Sequence, residues 1–178
     1  MELQLIEPTP SLKESFLAMA EEYQANDEFR YAALLPQLHS DFTGYIHRLG
    51  LDAAGIDLPQ DYVPQSTFWS VVENEVVGVI RIRHGLTPWL EQEGGHIGYE
   101  VRPSYRGQGY GRQQLALTLD KLRQWGWERV LITCDADNRA SARIIEANGG
   151  QLENIIFIPE KPVPVRRYWI DLISSDQT

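Results

Sequence analysis

Apolar positions recur along this chain with two periods, and the boundaries between them outline the fold. Leu3 to Ile6 alternates weakly and predicts a short first strand. Pro10-Ser11 then predicts a helix start, with Ser11 as N-cap, Glu14 as its capping-box partner, and Phe16, Leu17 and Ala20 on the apolar side. From 23 to 66 the pattern breaks up. Helical fragments at Tyr31 to Leu38 and Phe42 to Leu49 are separated by Pro36, Gly50, Gly55, Pro59 and Pro64, and neither is long enough for a core of its own. They predict a helical connection within one domain spanning 1–178.

Period-two runs return at Thr67 to Glu73 and Val76 to Arg83, an antiparallel hairpin with its turn at Asn74-Glu75. His84 to Glu93 reads as a loop. Gly95 to Val101 is a further strand, in which Gly98 points to a bulge or a close approach, and Pro103 ends it. Leu115, Leu119 and Leu122 form one helical stripe that closes near Gly126. Val130 to Thr133 is a buried strand, and Asn138 caps a helix from Arg139 to Asn148 that Gly149-Gly150 stops. Residues 151–158 and 165–173 supply two closing strands, with Tyr168, Ile170 and Leu172 on one face of the second. The sum is a mixed α/β domain: a central, twisted, mostly antiparallel sheet of about seven strands with helices on both faces.

Composition narrows the partners. With 43% hydrophobic and 23% charged residues the chain is an ordinary globular one. Its formal net charge of −9 argues against a nucleic-acid partner, which needs clustered cations. No apolar run reaches the roughly 20 residues that cross a membrane, and the N-terminus lacks a signal-peptide pattern. Cys134 is the lone cysteine, which suits a reducing, cytoplasmic setting and sits in an apolar run as a small core residue. Between Glu21 and Gln65, eight acids face only Arg30 and Arg48, a net of −6, which reads either as a field for a cationic amine or as solvated surface.

The candidate chemistry lies at Val101 to Arg112, V-R-P-S-Y-R-G-Q-G-Y-G-R. Gly107, Gly109 and Gly111 at alternate positions let successive N–H groups point into one concavity just ahead of a helix. Arg106 and Arg112 bracket it with no carboxylate in the helix's first turn, so a multiply charged anion is expected there. The P-loop pattern is absent, and Arg112 and Gln114 stand where a dinucleotide G-x-G-x-x-G needs its third glycine. The other histidines, His39, His47 and His84, have no metal-ligand spacing, so no metal is expected.

The R-x-x-G-x-G of Arg106, Gly109 and Gly111, with Val101 and Pro103 before it, resembles the acetyl-CoA-binding motif of the GNAT superfamily of N-acetyltransferases. The order of elements from Leu3 to Leu172 is similar to that family's throughout. The resemblance implies that acetyl-CoA is cosubstrate and that Gly107, Gln108, Gly109, Tyr110, Gly111 and Arg112 hold its pyrophosphate with Arg106. It implies that Tyr99 to Val101 pair with the pantetheine arm, that the Val101 N–H polarises the thioester carbonyl, and that Asn138 and Ser141 meet the cofactor from the next strand's end. It implies direct attack by a primary amine, small-molecule or peptide, with a homodimer left open. The acidic segment 21–65, with Tyr23, Phe29, Tyr31, Phe42, Tyr45 and Tyr62, is expected to form much of the acceptor wall and to suit a cation with an apolar body. Asn138 reads equally as a plain cap. Many members carry a Tyr seven residues after this Asn as proton donor; Ile145 stands there, leaving Tyr99, Tyr168 or water. For the base, His96 and Glu100 border the acceptor side, against the readings of a structural histidine and an arginine-paired carboxylate. The other class of function is an acyl-CoA-binding module without turnover, which Ile145 favours.

Overall fold

The computed structural model describes residues 2–159 and 161–173. Seven strands form, but they divide into two antiparallel sheets. β1 (Gln4–Ile6), β2 (Gln65–Val72), β3 (Glu75–Arg83) and β4 (Ile97–Val101) lie in that order in the first. β5 (Arg129–Asp135), β7 (Val165–Asp171) and β6 (Gln151–Ile156) make the second. The hairpin turn falls at Glu73-Asn74, one residue earlier than expected. Both residues take positive φ, 50° and 64°, which gives the twist that a two-residue hairpin needs.

Helices cover both faces. α1 (Lys13–Ala25), α2 (Leu35–Ser40) and α3 (Phe42–Ala54) pack on one side, around Phe16, Met19, Leu38 and Trp69. α5 (Tyr110–Gln124) and α6 (Arg139–Glu146) pack on the other, against Ile80, Ile82, Val130, Ile132 and Tyr168. β3 serves both cores, because Val79 points to the first and Ile80 and Ile82 to the second. Leu115, Leu119 and Leu122 of α5 are all buried, as their spacing requires.

Local chemistry accounts for three departures. The first helix is entered through a 3-10 turn at Pro10–Leu12, which Thr9, not Ser11, caps by accepting from the Ser11 N–H; proline belongs in a helix's first turn, so the cap moves ahead of it. By the same rule α2 starts at Leu35 with Pro36 in its first turn, instead of running from Tyr31. A five-residue helix, α4 (Pro88–Gln92), interrupts the expected loop, with the Thr87 hydroxyl as cap. Nor is Gly98 a bulge, since β3 and β4 pair without a shift; the irregularity lies at Ser70/Val71, opposite Gly78.

What positions the site is the junction between the sheets. The His96 N–H donates to the Leu131 carbonyl (2.8 Å), and the Gly94 N–H to Thr133 Oγ1 (2.8 Å). Beyond that point no ladder joins β4 to β5, and the two strands separate. Gly78 keeps β3 close behind β4: a Cβ there would stand 2.5 Å from the Glu100 carbonyl and 2.6 Å from Gln114 Oε1. Buried Gln114 in turn accepts from Ser70 Oγ (2.7 Å) and donates to that same carbonyl (3.2 Å).

Candidate active site

The glycine segment forms the expected hollow. Gly107 and Gly109 take φ of 76° and 87°, the left-handed region open to glycine, and Gly109 leads directly into α5. The N–H groups of Gly107, Gln108 and Gly109 meet no acceptor among the described residues, and those of Tyr110, Gly111 and Arg112 have none within the helix. At Gly111 a Cβ would stand 2.6 Å from Ile144 Cδ1 on α6, so a larger residue there would make that side chain shift. The hollow opens into a cavity of about 570 Å3 whose walls include Tyr99, Val101, Arg106, Arg112, Asn138 and Ser141. The side chains of Gln108 and Tyr110 turn away, the first to the Ser104 carbonyl (3.0 Å) and the second onto Tyr105. Neither residue is among the cavity's walls.

The two bracketing arginines are not equivalent. Arg112 has no carboxylate partner among the described residues, as expected. Arg106 does have one, which corrects the expectation of unopposed cations: Glu28, from the turns between α1 and α2, binds it through two parallel hydrogen bonds. Arg106 Nε also donates to the Val101 carbonyl (3.1 Å), which accepts the Tyr23 hydroxyl as well (2.8 Å). That carbonyl is therefore occupied and not free to pair with a pantetheine arm.

At the far wall, Asn138 Oδ1 accepts from the Ser141 N–H (3.0 Å), so its capping role is realised. Ser141 Oγ lies 2.8 Å from the Tyr99 hydroxyl, and both line the cavity. Burial holds the Tyr99 phenol well above its ordinary value, so it stays protonated. Cys134 is raised by burial likewise. Ile145 is fully buried in the core, and Tyr168 is buried with its hydroxyl on Glu146 (3.0 Å). Of the three replacements for the missing tyrosine, Tyr99 is the side chain that reaches the cavity.

His96 and Glu100 are both held by protein partners, although Glu100 is also a wall of the 570 Å3 cavity. His96 Nδ1 accepts from the Leu131 N–H (2.9 Å), and the ring packs edge-on to Trp127. Burial, with Arg83 nearby, drives its pKa down to about 4. It is a neutral hinge pin between the sheets, and it lies outside the cavity walls. The Glu100 carboxylate receives the Tyr31 hydroxyl, Arg30, and Arg81 through both its oxygens at 3.1 Å, so its lone pairs are filled. Both residues match the structural alternatives and lack a free basic atom.

Most of the expected acidic, aromatic acceptor wall is consumed by folding. Tyr23, Tyr31, Phe42 and Tyr45 are core residues around Phe16 and Trp69; Phe29 and Tyr62 stay exposed. Glu22 pairs with Arg102, Glu28 with Arg106 and Asp52 with Arg48, while Asp41 caps α3. What remains forms a second cavity of about 730 Å3, where Asp57, Asp61, Tyr62 and Trp89 stand together. A smaller one of about 250 Å3 shares Arg83 with this 730 Å3 cavity, and Arg30, Tyr99, Asn138 and Ser141 with the 570 Å3 one. Sequence reasoning missed Glu28, Arg30 and Arg83. Arg83 alone left a signal, as one of two arginines at alternate positions of a strand.

No group of three or more His, Cys, Asp or Glu among the described residues could hold a metal, and none of the described helices is long and apolar enough to cross a membrane. A family model described as an acetyltransferase (GNAT) domain matches residues 4–151. Solved structures share the fold at low identity. The microcin C7 self-immunity acetyltransferase MccE, in complex with acetyl-CoA and AMP, aligns with a TM-score of 0.70 at 16% identity over 96% of this chain and 92% of its own. The ribosomal L7/L12 alpha-N-protein acetyltransferase RimL, in complex with coenzyme A, gives 0.68 at 20% identity over 95% and 93%. A spermidine N-acetyltransferase chimera, SpeG from Vibrio cholerae with hSSAT, gives 0.60 at 13% identity over 97% and 96%. No curated protein sequence matches the chain.

Proposed function

The chain belongs to the GNAT acetyltransferase family, and from that premise we propose that it moves the acetyl group of acetyl-CoA to a primary amine, of a small molecule or of an exposed peptide, by direct attack. The observation that carries this reading is the open, amide-lined hollow at 107–112, continuous with the gap between β4 and β5. It fits the cosubstrate: the N–H groups of Gly107, Gln108 and Gly109 lack acceptors among the described residues, and Gly107 and Gly109 take the positive φ that such an amide-lined turn needs. Acetyl-CoA supplies an activated thioester, and the chain's residues bind, orient and move protons.

In this reading the backbone of 107–112 holds the diphosphate, with Arg112 and Arg106 beside it. The Val101 N–H aids the carbonyl oxygen. The Tyr99–Ser141 pair gives a proton to the departing thiolate, the task that Ile145 cannot perform. His96 and Glu100 serve by position: the first joins the sheets, the second fixes Arg30 and Arg81. The amine's proton passes to water. Asp57, Asp61, Tyr62 and Trp89 support a cationic or apolar outer body for the acceptor. The lone thiol supports a cytoplasmic setting. The exposed Leu152 and Ile155 on the edge strand β6 support self-association.

Free-CoA release from acetyl-CoA, followed with a thiol reagent against an amine panel, tests the proposal. Amine-stimulated release is expected. Tight CoA binding with no stimulation by any amine would favour the binding module, and no affinity for CoA would end both readings.

A further inference from the structure

The acceptor side of the gap carries an unbalanced charge. β3 and β4 bring Arg81, Arg83, Gly98 and Glu100 to one face, since Arg81 pairs with Gly98 and Val79 with Glu100. Arg30 reaches the same place from the α1–α2 connection, where the 250 Å3 cavity begins. Two sets of partners close on themselves there. Glu100 takes Arg30 and Arg81, and Lys161 takes both Glu93 and Asp135 (the latter at 2.7 Å). Four cations thus meet three carboxylates among the described residues.

Arg83 is the cation left over. Its Nη1 donates to the carbonyls of Gly94 (2.9 Å) and Gly95 (3.1 Å), which aim the guanidinium without neutralising it. No carboxylate among the described residues lies within ion-pair reach. Nη2 stands 3.5 Å from where a Cβ of Gly98 would be, so the missing side chain leaves that edge facing the gap. Burial first, then Arg81 and Arg30, hold the Arg83 pKa below the usual arginine range, and the opposite charge of an incoming anion would offset them.

We propose that Arg83 anchors the acceptor, and that the amine acetylated here carries an acidic group, carboxylate or phosphate, a few bonds from its nitrogen. The inference rests on the acetyltransferase reading and names the substrate class. Arg30 supplies a second cation at the same cavity. A guanidinium edge suits planar carboxylate or phosphate recognition. A polyamine would instead bring its next ammonium beside Arg83 and Arg30, which is repulsive. Arg83 also borders the larger cavity, so a substrate held at its acidic group can lay a cationic or apolar remainder against Asp57, Asp61, Tyr62 and Trp89. Acidic walls there disfavour a second anion.

Matched acceptor pairs test this, with kcat/KM measured by CoA release. The C-terminal amides Asp-Ala-NH2 and Asn-Ala-NH2 isolate the carboxylate, and phosphoethanolamine against ethanolamine the phosphate. In at least one pair the acidic member is expected to be about tenfold or more the better acceptor. Arg83→Gln should collapse that ratio towards one while acetyl-CoA affinity is unchanged, and Arg83→Lys should keep part of it. The wild-type ratio alone decides the matter should Arg83→Gln disturb the 94–95 turn. Preference for the neutral members, equal use of both, or turnover of neither overturns the inference. Turnover of neutral amines would leave the acetyltransferase reading standing, whereas loss of acetyl-CoA binding by the wild type would remove that reading itself.

Discussion

Arg106 and Glu28 meet through two parallel hydrogen bonds, Nη1 to Oε1 at 2.6 Å and Nη2 to Oε2 at 2.9 Å, across 78 residues of sequence. The pair ties the α1–α2 connection to the start of the glycine hollow, and it places a carboxylate on one of the two cations that are expected to meet the phosphate. The Glu28 carboxyl is held below its usual value, chiefly by hydrogen bonding to that guanidinium.

The consequence is competition. Both side chains are nearly half exposed, 46% and 39%, so the pair is worth at most about 1 kcal/mol. Glu28→Gln is therefore expected to tighten CoA binding by up to about fivefold, an effect that shrinks as salt is raised. Arg106→Ala should weaken it. Calorimetry at two ionic strengths reads both. Weaker binding by Glu28→Gln would mean that the carboxylate helps hold the cosubstrate.

The hollow's backbone can be tested apart from its charges. Gly109 has φ of 87°, and Gly109→Val forces a β-branched residue into the left-handed region, at about 1–2 kcal/mol. CoA affinity should fall by far more than the loss in melting temperature explains. Gly107→Ala, at φ 76° with nothing within 4 Å of its new methyl, is the milder control. Unchanged affinity in Gly109→Val would remove the diphosphate assignment.

These two residues also mark how far the sequence could be read. The hollow was legible because only glycine reaches positive φ freely, so its spacing constrains the backbone directly. The α5 stripe and the β5 run were legible because burial imposes a period. Glu28 was not: a side chain's partner 78 residues away leaves no local trace. Tyr23, Tyr31 and Tyr45 misled for a related reason, since an aromatic ring serves a core or a binding wall equally well and only packing on Phe16 decides. His96 and Glu100 share strand parity with Gly98, but parity fixes the face and not the partners, and Leu131 and Arg81 had claimed them.

The role of His96 as a hinge pin gives a pH signature. Its folded-state pKa of about 4 lies below the ordinary 6.5, so the unfolded chain takes up the proton first as pH falls. Stability from the neutral ring is complete above about pH 6.5 and drains away towards pH 4, by about 1–2 kcal/mol for a ring that keeps part of its solvent. His96→Asn keeps an acceptor for the Leu131 N–H but cannot titrate, so its denaturant midpoint should be flatter with pH across that window. Its pH–rate profile should keep the wild-type acidic limb. A stability curve parallel to the wild type's would refute the buried-neutral reading.

The last test concerns the proton that the departing thiolate must gain. A thiol pKa near ~8.5 makes CoA a fair leaving group, so the donor is worth the lower end of general-acid effects. Tyr99→Phe removes the one hydroxyl hydrogen on a buried phenol that stays protonated through neutral pH, and Ser141→Ala removes its 2.8 Å neighbour. Each is expected to lower kcat by roughly 100-fold while leaving the KM for acetyl-CoA within about twofold. Because one hydrogen bond links them, the double variant should be no slower than the slower single one. An additive loss would assign the two hydroxyls separate tasks. Wild-type kcat in all three would show that the thiolate departs without help, and that the pair serves only to pack α6 against β4.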